Sequence, residues 1–251
     1  MEPNELQDHI TDTYTYLRIG IAGLAIALPA VLYIGGLIRA DLPLQGSMSA
    51  YYHAGGGVMR DVFVGVLAAV GVFLILYKGY TVFENWALNL AGIFLLIVAA
   101  VPMSWGCGDA CPKMTLHGTA AVLFFFSIAY VCIFRSGDTL DLISDADKVR
   151  WYKKIYTVLG LAMIASPVIA VTVKLILQPD PGKGSIVFFI EAAGVVVFGF
   201  YWIVKSFEIR DTNAEQLALE GRLEMPPYGA KDIFTPIFIR RVGRAGTYES
   251  D

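Results

Sequence analysis

The chain is 251 residues long, 56% hydrophobic and only 16% charged, with a formal net charge of −3. A soluble domain carries about 25% charged residues, so this composition excludes an ordinary soluble fold and points to a membrane. The net charge itself is uninformative, but no basic, aromatic-interleaved patch argues for nucleic acid, and the expected partners are membrane lipids.

The N-terminal stretch MEPNELQDHITDTYTYLR is acidic and polar. It lacks the basic region, short apolar run and small-residue cleavage site of a secretory leader, so the first apolar run is expected to be a retained helix. Six runs approach or reach the roughly 20 residues needed to cross a bilayer. They are Ile19–Ile38, Asp61–Tyr77, Trp86–Met103, Thr115–Phe134, Ile155–Leu177 and Ile186–Lys205. The second and third are short, and the fifth is long enough to tilt. The expected fold is all-α: a six-helix transmembrane bundle over residues 1–205, followed by a cytoplasmic tail, residues 206–251. Aromatic residues near the run ends, Tyr77, Tyr80, Trp86, Trp151, Tyr156 and Trp202, are expected in interfacial belts.

Orientation follows from Lys and Arg. With the N-terminus inside, the outer ends and loops hold five of the 19, namely Arg39, Arg60, Lys113, Lys174 and Lys183, and the inner segments hold the other 14. The positive-inside rule therefore places both termini in the cytoplasm.

The first outer loop, ADLPLQGSMSAYYHAGGGVMRD, is broken by Pro43 and by Gly55, Gly56 and Gly57, so no regular helix runs through it. The third loop, SWGCGDACPKM, is also outside, where conditions are oxidising, and a Cys107–Cys111 disulfide is the natural expectation. Cys132, inside the fourth run, reads as a small apolar residue. The tail holds a short apolar run beside Arg240, Arg241 and Arg244. It suits equally an anionic inner leaflet or packing on the helix ends.

Candidate site residues gather at the outer level. Glu191 lies about five residues, or about 8 Å, into the sixth run, where an acid is costly and faces a partner or cavity. Lys174, at the end of the fifth run, would pair with it and align the two helices. Asp61 at a helix start complements the macrodipole, and the fork of the neighbouring Arg60 matches lipid phosphate oxygens. His117 opens the fourth run; Ser49 and His53 lie on the first loop. Two histidines with Asp61, Asp109 and Glu191 would suffice for zinc, but no HxxxH or HExxH spacing is present. No cofactor is expected, and zinc is the one metal that set would suit.

The segments SMSAYYHAGGGVMRDVFVGVLAAVGVFLILYKGY, AGIFLLIVAAVP and LHGTAAVLFFF resemble the bacterial domain-of-unknown-function 998 family and the related Frag/DRAM/Sfk group. The shared features are a serine-bearing outer loop, a histidine opening the fourth span and a compact six-helix length. The resemblance covers about residues 19–205 and implies a bundle in the bacterial cytoplasmic membrane. Ser49-Ala-Tyr-Tyr-His53 followed by Asp61 is similar to the first part of the CREST membrane hydrolase pattern, which includes alkaline ceramidases. The late HxxxH of those seven-helix enzymes, which carries zinc ligands, is absent here.

Three functions are consistent with these residues. The first is a non-enzymatic membrane protein with a polar outer-face pocket for a lipid or small ligand, lined by Ser49, His53, Arg60, Asp61, His117 and Glu191. The second is a metal-dependent hydrolase of a lipid or amide bond at the outer interface. The third is a small transporter using Glu191 as a relay. A shortage of buried charges and the lack of an inverted repeat weigh against the third.

Overall fold

The computed structural model describes residues 3–107, 110, 112, 115–177 and 185–242. The chain is mostly helical. Helix α1 spans Pro3–Ala40, α2 is a single turn at Ala54–Gly57, and α3 spans Arg60–Leu76. Helix α4 spans Val82–Ala100 and α5 spans Leu116–Tyr130, which continues into a wider π turn at Val131–Arg135. Helices α6 (Ala146–Leu177), α7 (Ile186–Thr212) and α8 (Ala214–Leu219) follow.

Local chemistry sets the ends. Thr81 caps α4 by accepting the Glu84 N–H, and Thr115 caps α5 by accepting that of Gly118, each satisfying an orphan donor of the first turn. Asn213 stops α7 in a left-handed conformation, which asparagine tolerates better than most residues. Gly55, Gly56 and Gly57 all take positive φ, so the glycine run turns the chain sharply into α3.

Among the described residues, six long helices close into a ring in which α1 packs beside α3, α3 beside α4, α4 beside α5, α5 beside α6, α6 beside α7, and α7 back on α1. The ring is filled by Leu28, Leu32, Leu74, Leu88, Ile128, Met163, Phe198 and Trp202. The helices meet where side chains are small. A Cβ on Gly92 would stand 2.5 Å from the Gly71 carbonyl oxygen, so α3 and α4 approach backbone to backbone, as membrane helices do at small residues. Ser166, next to Pro167 inside α6, donates its hydroxyl to the Ile190 carbonyl of α7 at 2.9 Å.

The outer surface of the ring is apolar. Ile38, Leu76, Leu161 and Ile176 are each more than half exposed. Arg135, Lys205 and Glu208 are buried inside the ring while hydrocarbon faces out, the arrangement a lipid solvent selects. Five helices, α1, α4, α5 with its continuation, α6 and α7, are long and apolar enough to cross a membrane; α3, at 17 residues, is shorter. The chain is thus an integral membrane protein by length, composition and surface.

Several boundaries shift. Helix α1 begins at Pro3, well before Ile19, because the polar N-terminal stretch continues the same helix beyond the apolar run. Helix α7 runs on to Thr212, past Lys205. The tail folds back on the helix ends: Leu223–Glu224 (β1) pairs antiparallel with Arg240–Arg241 (β2), and the Tyr130 hydroxyl donates to the Ile233 carbonyl at 2.6 Å. Trp86 and Trp151 are exposed at helix ends as expected, but Tyr77, Tyr156 and Trp202 are fully buried. Their rings pack in the core around the charged groups described next instead of lying in an interfacial belt. Cys132 is a buried free thiol. The expected Cys107–Cys111 link involves Cys111, which, like Asp109, lies outside the described residues.

Candidate functional site

Two polar clusters sit at opposite ends of the ring. One is at the end holding residues 41–59, here the loop end. The other is at the end holding the start of α1 and the tail, here the terminal end.

At the loop end, the segment after α1 dips into the mouth of the bundle. A 3-10 turn at Met48–Tyr52 is capped by Ser47, whose hydroxyl accepts the Ala50 N–H at 3.2 Å. Met48, Ala50 and Tyr51 are buried in the mouth and Ser49 is half-buried. The turn is tied to its surroundings on every side. The Met48 N–H donates to Glu191 Oε2 at 2.8 Å, and the Phe188 N–H donates to the Gly46 carbonyl at 3.0 Å. His53 donates from Nε2 to the Met103 carbonyl at 3.0 Å and stacks on Trp105. His117, in the first turn of α5, hydrogen-bonds through Nδ1 to the Val101 carbonyl at 2.7 Å and through Nε2 to Ser49 Oγ at 2.9 Å.

The candidate residues therefore divide. Ser49, His117 and Glu191 converge on one turn, with His53 beside it. Glu191 also pairs with Lys174 at 3.3 Å. The Lys174 side chain is about half exposed, at 48%, so the pair is not the buried bridge expected from depth alone, and it adds little stability. Arg60 donates from Nε to the Tyr52 carbonyl at 3.1 Å and lies 4.9 Å over the Tyr52 ring. Its two Nη groups have no protein partner among the described residues. Asp61 is exposed in the first turn of α3 and bonds to none of the other candidates; it serves the helix dipole. Among the described residues, no three His, Cys, Asp or Glu side chains converge as a metal site.

The terminal end holds a denser cluster, which the sequence reading counted only as inner-facing charge. Lys205 Nζ pairs with Glu208 at 2.5 Å and donates to Thr139 Oγ1 at 3.2 Å. Glu208 also accepts from Thr139 at 2.7 Å and from the Tyr156 hydroxyl at 3.2 Å. Asp138 pairs with Arg135 at 3.7 Å, accepts the Thr81 hydroxyl at 3.1 Å and accepts the Ile237 N–H of the tail at 2.7 Å. Arg135 donates to the Thr235 carbonyl. Glu84 accepts the Tyr80 N–H at 2.7 Å, and Arg18 of α1 pairs with Glu215 of α8. The charged side chains Arg18, Glu84, Arg135, Asp138, Lys205 and Glu208 are each at most 1% exposed. The sequence argument that this chain lacks buried charge is thus overturned. Thr81-x-x-Glu84, close to a capping box, and the i,i+3 pair Lys205–Glu208 are local signals that could have pointed there.

A cavity of about 510 Å³ lies beside this cluster, lined mainly by Ile10, Tyr14, Tyr77, Tyr80, Leu219 and Met225. Tyr80 resists ionisation because burial disfavours the phenolate.

The chain matches no family model, no curated protein and no solved structure.

Proposed function

We propose that this protein crosses the cytoplasmic membrane six times, with both termini in the cytoplasm. We further propose that its extracytoplasmic mouth, the loop end, binds the anionic head group of a lipid. Six crossings require α3 to span. Its 17 residues reach about 25 Å at 1.5 Å per residue, and it is packed between α1 and α4. The excess of Lys and Arg at the terminal end supports the orientation.

The observation that carries the binding reading is Arg60. Its Nε donates to the Tyr52 carbonyl and its guanidinium lies over the Tyr52 ring, which leaves both Nη groups without a hydrogen-bond partner among the described residues, at the rim of a polar mouth. A guanidinium so oriented suits a bidentate phosphate. The terminal cluster is a poorer candidate, because Arg18, Arg135 and Lys205 are buried and already paired with carboxylates. A metal-dependent hydrolase would need converging ligands, and among the described residues there are none.

The test is lipid retention. Protein purified in nanodiscs containing phosphatidylglycerol and phosphatidylcholine is released and weighed by native mass spectrometry. Wild type should retain phosphatidylglycerol selectively, and Arg60→Ala should lose most of that selectivity while Arg60→Lys keeps part of it. Equal retention by wild type and Arg60→Ala overturns the reading.

A further inference from the structure

We propose that Ser49 and His117 form a nucleophile–base pair that cleaves an ester-linked acyl group of a lipid at this mouth. The proposal rests on reading the mouth as a lipid site and names the chemistry done there.

The hydrogen bonds fix the roles. His117 Nδ1 lies 2.7 Å from the Val101 carbonyl oxygen. A carbonyl only accepts, so the neutral ring carries its proton on Nδ1 and leaves a lone pair on Nε2. Ser49 Oγ lies 2.9 Å from that nitrogen and donates to it. Nucleophile and base are within hydrogen-bond reach, and the base is held by a third group, the pattern of an activated serine. Here the third group is a backbone carbonyl. It fixes the ring and the tautomer but brings no charge. The carboxylate of Glu191 braces the same turn by accepting the N–H of Met48, the residue before Ser49.

Access and rigidity also favour chemistry over a simple tie. His117 is only 6% exposed, whereas Ser49 is half-buried, so the nucleophile is reachable while the base is shielded. The turn carrying Ser49 is capped by Ser47 and anchored by buried Met48 and Ala50, which preorganises the hydroxyl. Trp105 and Tyr52 flank the mouth through His53 and Arg60, amphipathic rings of the kind that sit at head-group depth.

The step balances with water alone. Ser49 Oγ attacks the acyl carbonyl carbon and its proton passes to His117 Nε2. The bond between that carbon and the lipid alcohol oxygen breaks, and the departing oxygen takes the proton from His117. Water then attacks the acyl–Ser49 ester and gives a proton to His117. The carboxylic acid leaves and Ser49 Oγ recovers that proton.

The experiment is labelling of the full chain in nanodiscs with a fluorophosphonate, with the adduct mapped by mass spectrometry. Wild type should carry one adduct, on Ser49, absent from Ser49→Ala. His117→Gln should slow labelling by about 100-fold or more, the range for loss of a general base. In wild type the labelling rate should rise with pH through the imidazole range, a readout that does not depend on any variant folding. Folded wild type that retains lipid yet leaves Ser49 unlabelled overturns this proposal and leaves the lipid reading intact. Ser49 labelled equally fast in folded His117→Gln, or at a pH-independent rate, also overturns it. Labelling at Ser49 without lipid retention sinks the head-group reading instead.

Discussion

The Asp138 carboxylate accepts the Ile237 N–H at 2.7 Å, and the Asp138 carbonyl accepts that of Ile239 at 3.0 Å. One residue at the foot of α5 thus holds the returning tail as a strand would, while the same carboxylate meets Thr81 and Arg135. The tail is part of the fold, and its anchor is a buried acid.

Replacing Asp138 with alanine should release the tail and leave Arg135 uncompensated in the core. Removing one partner of a buried pair costs about 3–5 kcal/mol. The expected outcome is a lower melting temperature and faster tryptic cleavage at Arg222 and Lys231. Asp138→Asn, which keeps an acceptor for Ile237, should do less harm. Unchanged digestion of Asp138→Ala would show that the tail is held by other contacts.

Lys205 and Glu208 predict an asymmetry. Glu208 keeps two hydroxyl donors, Thr139 and Tyr156, when Lys205 is lost. Lys205 keeps Thr139 Oγ1, the faces of Tyr80 and Tyr156 and the field of the Glu84 carboxylate, but no ion-pair contact, when Glu208 is lost. Glu208→Ala should therefore destabilise more than Lys205→Met, because the ammonium loses its ion-pair contact and keeps one hydrogen bond, whereas the carboxylate keeps two hydroxyl donors. The double variant Lys205→Met with Glu208→Leu should recover part of the Glu208→Ala loss. Thermal unfolding of all three in one lipid composition measures this. A larger loss for Lys205→Met would refute the asymmetry.

The helices were legible in the sequence because hydrocarbon demands long apolar runs, and α3, α4 and α5 start within a few residues of the expected positions. The cluster at the terminal end was not legible as a cluster. Arg18, Arg135 and Lys205 read as inner-facing cations, since a sequence gives depth along a helix but not which neighbour a side chain meets. Arg18 meets Glu215, and Arg135 meets Thr235; both partners lie in the tail, at long separations no local period reveals. At the loop end, span arithmetic put His117 and Asp61 at the outer level and Glu191 about 8 Å below it, with Ser49 and His53 on the loop. It did not foresee that Asp61 stands apart. The joint contact of Ser49, His117 and Glu191 with one short turn arises from the loop folding inward, driven by burial of Met48, Ala50 and Tyr51.

The six-span topology proposed above is open to a labelling test. Pro43 and Ser144, both exposed, lie at the loop end and the terminal end. Single cysteines placed there, in a background with Cys107 and Cys111 changed to serine and the buried Cys132 to alanine, should react with an impermeant maleimide from opposite sides of the membrane. Pro43 should be labelled from the extracytoplasmic side. Reaction of both from the same side would defeat the six-span reading.

The contact between α3 and α4 should be the least forgiving helix interface. A Cβ on Gly92 would sit 2.5 Å from the Gly71 carbonyl oxygen and 2.7 Å from Ile75 Cγ1. The first neighbour is backbone, which cannot swing aside, so even Gly92→Ala must push the helices apart. Overpacking of this kind costs about 1–3 kcal/mol, and Gly92→Leu should cost more. Ala91 also lies on α4 and is fully buried, yet Ala91→Gly removes a methyl without forcing a separation. The expected order of melting temperatures is wild type, then Ala91→Gly, then Gly92→Ala, then Gly92→Leu. Because α3 is the shortest of the long helices, its separation from α4 should also expose Asn85 and Asn89, whose side-chain oxygens are buried without partners. Gly92→Ala with wild-type stability would mean that the close approach of these two backbones is not what holds α3 in the ring.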